Sequence, residues 1–433
     1  MNILMMTNTF TPHVGGVARS VASFAAAYRE RGHGVLVVAP AFENMPAVEE
    51  DVVRLPAIQN FNGSDFSVVL PVSEFLMSAV SRFQPDVVHA HHPFLVGSTA
   101  LRVAHRFRLP LVFTHHTMYE RYTHYVPGDC ATLRRFVVGL STAYANLCDL
   151  VFAPSDSVAA ALVERGVRTP VVVVPTGVRL EDFAAGDGTA FRRAEGIPDN
   201  AVVLGHAGRL APEKNLEFLT DAALRLVAAQ ADRHFLVVGA GPSDVAMRRA
   251  FEAAGLADRL HVTGVVVRER LRDAYAAMNL FLFASLSETQ GMVLTEAMAA
   301  GVPVVALDAP GARELVADGV NGRLLAGADV AAFAQAAEGV LTAPAGRRAA
   351  LREGALAAAA ANAMPMTATL ALAHYQHVRG GAFMPPPEDY DAWRGVLRQL
   401  RAEWELLKGM AGAAADALQQ PEAGRPLAPD QGR

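Results

Sequence analysis

Short runs of almost wholly apolar residues recur along the chain, with helix-period stretches between them. The runs fall at residues 3–6, 35–39, 87–90, 111–114, 150–153 and 171–174, and again at 202–206, 234–238, 260–262, 280–283 and 304–307. A strand buried on one face alternates apolar and polar residues. These runs do not alternate, so both faces of each strand must be covered. Helical patterns such as 19–31 and 73–83 supply the cover. Strands alternating with helices form parallel sheets wound by helices on both sides. The pattern breaks after Pro175-Thr176-Gly177-Val178, in a polar, Gly-rich stretch, and then restarts. The expected fold is therefore α/β with two Rossmann-like, doubly wound domains.

The length of 433 residues fits two such domains. The expected division is 1–178 for the first, 179–200 for the connection and 201–364 for the second. A return segment at 365–384 packs towards the first domain, and 385–433 is a C-terminal extension. Within it, residues 389–407 have an amphipathic helix pattern carrying Trp393, Leu397, Leu400, Trp404 and Leu407. The Pro-, Gly- and Ala-rich stretch after Gln420 reads as disordered. The helix could pack on the body, bind a partner subunit or anchor at a membrane interface.

A net charge of −5 does not provide the basic field that broad nucleic-acid binding needs, so no nucleic-acid partner is expected. The two cysteines, Cys130 and Cys148, have no metal or redox spacing. The N-terminus reads as a first strand and not as a signal peptide. Residues 136–155 are interrupted by Asn146 and Asp149 and read as a helix followed by a strand, too broken to span a membrane.

The richest segment is Glu288-Thr-Gln-Gly-Met-Val-Leu-Thr-Glu296-Ala-Met-Ala-Ala-Gly301-Val-Pro303. A helix is expected to start near Met292 and to end at Gly301, a residue suited to the left-handed position after a helix. Its free N–H groups would suit an anion such as a diphosphate. Glu288 lies before the helix and Glu296 inside it. Two such acids could grip the hydroxyls of a sugar and a ribose; alone, they could equally be solvated side chains. The second segment is Gly205-His-Ala-Gly-Arg209-Leu-Ala-Pro-Glu-Lys214-Asn. Ligands of open α/β sheets sit beyond the carboxyl ends of the strands. Arg209 and Lys214 there would suit a diphosphate, Arg209 bidentately and Lys214 as a point charge. They could also be ordinary surface cations.

The first strand-to-helix turn carries Gly15 and Gly16, where a ligand could approach the backbone closely. Two strand ends carry histidines: His89, His91 and His92, then His115 and His116. They are candidates for substrate contact or proton handling. The closed ligand spacing of a zinc site is lacking, so no metal is expected. The run Gly239-Ala-Gly241-Pro-Ser-Asp244 imitates a dinucleotide fingerprint. Asp244 stands where the third glycine should be, which argues against a nicotinamide cofactor.

Taken together, these segments resemble the retaining glycosyltransferases of family four, which have the GT-B fold of two Rossmann-like domains facing each other across a cleft. The resemblance rests on Glu288…Glu296, on Gly208-Arg209…Glu213-Lys214-Asn215, on Gly239-Ala-Gly241-Pro and on Asp318-Gly319…Asn321-Gly322. It implies a nucleotide-sugar donor, a UDP-sugar, as substrate and no obligatory cofactor. It implies that Arg209 and Lys214 bind the donor diphosphate, that Glu288 holds the sugar and that Glu296 holds the ribose. Gly291, Met292 and Val293 would lend backbone N–H groups. Gly15 and Gly16 would close on the diphosphate, and His116 would stand by the anomeric carbon. His116 and Glu288 are the expected catalytic residues.

Residues 91–95 and 114–125 look like bacterial diacylglycerol glucosyltransferases. They imply transfer of a hexose, glucose, to a membrane lipid or lipid-linked acceptor by a cytoplasmic enzyme peripheral on the inner membrane face. The basic residues Arg102, His105, Arg106, Arg108, Arg134 and Arg135 would suit an anionic membrane, or an ordinary solvated face. Alternatives are a soluble or polysaccharide acceptor, a nucleotide-sugar epimerase, and a non-catalytic sugar-nucleotide sensor.

Overall fold

The computed structural model describes residues 1–47, 49–58, 68–69, 74–121 and 130–381. The amphipathic pattern at 389–407, the tail after Gln420 and residues 122–125 of the acceptor motif lie outside them. The first half contains strands β1 (Asn2–Met6), β2 (Gly34–Pro40), β3 (Val52–Leu55), β4 (Ala57–Ile58), β5 (Val68–Val69), β6 (Val87–Ala90), β7 (Leu111–Thr114), β8 (Leu150–Ala153) and β9 (Val171–Val173). Its helices are α1 (Gly16–Glu30), α2 (Glu74–Phe83), α3 (Val96–Phe107), α4 (Ala131–Ala145) and α5 (Asp156–Glu164). Helix α6 (Gly188–Ala194) precedes the second set of strands: β10 (Val202–Ala207), β11 (Arg233–Val238), β12 (Leu260–Val262), β13 (Leu280–Phe283), β14 (Val304–Leu307) and β15 (Gly322–Leu325). Their helices are α7 (Leu216–Ala229), α8 (Asp244–Ala253), α9 (Arg268–Ala277), α10 (Met292–Ala299), α11 (Val330–Leu341), α12 (Ala345–Ala361) and α13 (Met364–Gly380).

The first sheet has seven parallel strands in the order β3-β2-β1-β6-β7-β8-β9, and β4 and β5 form a separate antiparallel pair. The second has six parallel strands in the order β12-β11-β10-β13-β14-β15. Both are α/β domains, as the apolar runs require. Each sheet reverses its winding once, between β1 and β6 and between β10 and β13. In open parallel sheets such reversals leave a crevice at the carboxyl ends of the strands.

Strands β3 and β15 escape the apolar-run criterion. Each is a four-residue edge strand interrupted by an arginine, Arg54 or Arg323. The stretch between the halves is also structured: Phe183, Phe191 and Ile197 are buried in the core of the second half. The chain then returns. Val178 N–H donates to Asn362 O (2.9 Å), and Met364 N–H donates to Val178 O (2.8 Å). From there α13 buries Met364, Ala368, Ala371 and Tyr375 among Ile3, Met5, Val21 and Tyr28 of the first half.

Candidate active site

The second half builds its part of the site at the reversal between β10 and β13. Gly208 and Arg209 follow β10, and Glu288 follows β13. Asn215 ties the two loops, its Nδ2 donating to Ala284 O at 3.2 Å. Lys214 Nζ donates to Glu288 Oε1 at 2.5 Å, with both side chains largely buried. Burial by itself would raise the Glu288 carboxyl. The Lys214 charge and hydrogen bond and a bond from Ser285 outweigh it and hold Glu288 below the usual carboxylate range. Arg209 pairs with Glu213, and its side chain stays half-exposed.

The Gly239-Ala-Gly241 turn explains how the Arg209 loop is held. A Cβ on Gly239 would stand 1.9 Å from Gly208 O, and one on Gly241 2.3 Å from Leu210 O. The two backbones press together: Leu210 N–H donates to Ala240 O and Ser243 N–H donates to Leu210 O, both at 2.9 Å. These glycines permit close backbone approach and so position Arg209.

Helix α10 begins as expected, at Met292. Gly291 precedes it with φ 76°, and no side chain caps the start. The positive end of the helix is therefore open to an anion beside Met292 and Val293. Gly301, at φ 75°, follows its last turn. Glu296 is buried. Its Oε2 accepts from Tyr275 OH at 2.8 Å, and its Oε1 accepts from Arg19 Nη1 at 2.6 Å. Arg19 belongs to α1 of the first half, so this pair spans the cleft.

The first half contributes the histidines. His116 follows β7, and its Nε2 lies 2.9 Å from His91 Nδ1. His89 is held between Thr114 Oγ1 (2.7 Å) and Tyr375 OH (2.6 Å). Burial first, and neighbouring imidazoles second, keep His91 and His116 well below the ordinary histidine range. Burial likewise takes His89 and His92 down to about 3 and His115 to about 4. This group is neutral at physiological pH. Among the described residues, no group of three or more His, Cys, Asp or Glu side chains could hold a metal ion.

Three contacts join the halves around this site. Thr289 Oγ1 donates to His116 O at 2.8 Å, and Ser155 Oγ donates to Thr289 O at 2.7 Å. Gln290 clamps Thr176: its Nε2 donates to Thr176 O (2.6 Å), and its Oε1 accepts from Thr176 N–H (2.7 Å). The fold thus brings Lys214 onto Glu288 and the Glu288 loop onto His116. Gly15 and Gly16 lie at the start of α1, and that segment reaches the second half through Arg19. Arg19, Tyr275 and Gln290 carry no sequence signal of their own. Arg19 looks like an ordinary helix-face arginine, and Tyr275 lies 21 residues before the acid it touches.

The Glycosyltransferase Family 4 model matches residues 14–182, and the Glycosyl transferases group 1 model matches residues 201–343. A GDP-mannose-dependent alpha-mannosyltransferase of Mycobacterium tuberculosis is 30% identical over 75% of this chain and 84% of its own length. The chain belongs to glycosyltransferase family 4. A second relative of this glycosyltransferase is an alpha-monoglucosyldiacylglycerol synthase of Streptococcus pneumoniae, 26% identical over 76% of each chain. The fold of Anabaena HepE, solved with UDP and glucose, superposes with a TM-score of 0.67 at 22% identity, covering 87% of this chain and 99% of that one. The architecture of the family 4 enzyme is therefore GT-B. No helix among its described residues is long and apolar enough to cross a membrane.

Proposed function

We propose that this enzyme transfers a hexose, glucose, from a UDP-sugar to a membrane lipid such as diacylglycerol, with retention of anomeric configuration. The observation that carries the reading is the hydrogen bond from Thr289 to His116 O, at 2.8 Å. It sets the Lys214–Glu288 pair of one half against the strand end that carries His116 in the other. On this reading Arg209 and Lys214 take the diphosphate. The open start of α10, with Gly291, Met292 and Val293, takes sugar and phosphate. Gly15 and Gly16 close from the first half, in a hinge motion about the chain crossings at Val178 and Asn362–Met364. Glu288 holds the sugar hydroxyls, Glu296 the ribose, and His116 stands at the reacting face.

Breaking the bond from anomeric carbon to phosphate oxygen leaves an oxocarbenium-like sugar and a diphosphate anion. The site's main task is to stabilise that anion and exclude water. His116, neutral and half-buried, is suited to donate or accept a hydrogen bond and poorly suited to carry charge. Front-face attack fits this site. The acceptor oxygen bonds to the anomeric carbon as the phosphate leaves, and the leaving oxygen takes the acceptor's proton. The lipid acceptor is supported by the diacylglycerol synthase relative and by the exposed Arg102, His105, Arg106 and Arg108 on and just after α3 and Arg134 and Arg135 on α4. Such a surface would seat the enzyme at the anionic inner membrane face.

A second reading, mannosyl transfer from GDP-mannose, is favoured by the 30% identical mannosyltransferase. The test offers UDP-glucose, UDP-galactose and GDP-mannose in turn, with a lipid extract or with soluble polyols, and reads products by mass. A hexosylated lipid formed from UDP-glucose alone supports the proposal. A product from GDP-mannose alone, or only in the soluble fraction, overturns the donor or the acceptor respectively.

A further inference from the structure

The cleft contains a cation to which the reading above gives no role. Arg19 lies one turn into α1, just beyond Gly15 and Gly16. Its Nη1 donates to Glu296 Oε1 at 2.6 Å, and Tyr275 fixes the other carboxylate oxygen at 2.8 Å. The guanidinium is incompletely satisfied: its Nε–H is buried and meets no acceptor among the described residues. Yet the side chain as a whole keeps 40% exposure, against 6% for Glu296. One edge of the fork is thus sealed and unpaired while the side chain as a whole stays accessible.

This pairing has a consequence once Glu296 receives ribose hydroxyls. Those hydroxyls compete with Arg19 and Tyr275 for the lone pairs of Glu296, each of whose oxygens already accepts one hydrogen bond. A displaced, partly buried guanidinium is costly to leave without an acceptor. An acceptor arrives with the ribose, because the α-phosphate hangs from the same sugar through O5′. A guanidinium fork suits phosphate oxygens bidentately, and the unpaired Nε–H is one prong of it. We propose that Arg19 is a further donor-binding residue: it holds Glu296 and passes to the donor diphosphate when the ribose takes Glu296. The inference rests on the ribose assignment of Glu296 made above. It makes the first half a contributor to donor affinity and links donor entry to the contact between the halves.

Calorimetric titration of the full chain with UDP, GDP, uridine and guanosine tests this, using wild type, Arg19→Ala, Arg19→Lys and Glu296→Gln. Thermal melting confirms that each variant folds. Arg19→Ala should weaken the nucleoside diphosphate by about tenfold or more, the scale of one charge-assisted contact. It should leave the matching nucleoside unchanged or tighter. Arg19→Lys should recover part of the loss. If Arg19→Ala tightens diphosphate and nucleoside alike, Arg19 merely blocks Glu296 and the proposal fails. It fails equally if their ratio stays unchanged while Glu296→Gln weakens both. If Glu296→Gln leaves nucleoside binding untouched, the ribose assignment itself falls, and this inference with it.

Discussion

At the scale of single residues, the charges of the site are paired with one another. Lys214 and Glu288 neutralise each other at 2.5 Å with only 17% of each side chain exposed. Lys214→Ala would leave Glu288 buried without its counter-charge, at a cost of about 3 kcal/mol, the low end for a buried pair. Its loss of activity would then be mixed with loss of stability. Arg209→Ala has the same complication, since the half-exposed guanidinium pairs with Glu213, whose side chain is only 4% exposed. Turnover should fall by about 10²–10³-fold, the scale of removing one stabilising contact to a leaving anion, and thermal melting reads the loss of stability separately. Unchanged turnover in steady-state kinetics would remove Arg209 from the donor site. His116→Ala should lower kcat far more than donor affinity. In the wild type no inflection near pH 6.5 should come from His116, because burial keeps it neutral well below that range. A pH–rate inflection there that disappears in His116→Ala would contradict the neutral role.

At the scale of elements, the decisive devices are backbone contacts. Gly291 sits at φ 76°, and alanine there costs about 1–2 kcal/mol. Gly239→Ala is harsher, because the new Cβ would meet Gly208 O at 1.9 Å and push the Arg209 loop aside. Gly239→Ala should therefore lower both the melting temperature and donor affinity, and Gly291→Ala should mainly lower stability; calorimetry reads both. Central strands such as β6, β7, β8, β13 and β14 were legible to the residue, because burial on both faces demands unbroken apolar runs. The start of α10 and the Gly301 stop were legible for a related reason: helix ends impose local chemistry. The purpose of Gly239-Ala-Gly241 was not. The same spacing that imitates a dinucleotide fingerprint serves here to seat one loop on another, and close approach between distant backbones leaves no trace in a linear pattern. Arg19, Tyr275 and Gln290 were hidden likewise, since their partners lie 277, 21 and 114 positions away.

At the scale of the molecule, the enzyme is two parallel-sheet domains tied by α13 and by contacts across the cleft. Several histidines are buried neutral. His89 and His92 are down to about 3, and His115 and His206 to about 4, chiefly through burial. In the unfolded chain they take up protons below about pH 6.5. The stability that neutral burial contributes is therefore fully present above that pH and is lost as pH falls towards 4 and below. Melting temperatures from pH 8 to pH 4 should fall below pH 6.5; a flat profile would show that these groups titrate normally. The proposed activity is sugar transfer with retention in the cleft between the two halves. The most direct measurement incubates the full chain with UDP-glucose labelled at the anomeric carbon and a lipid extract, and reads the product by carbon–proton coupling. The expected product is a glucosylated lipid of α configuration, with one UDP released per sugar moved. A β-linked product, or release of free glucose without transfer, would contradict it.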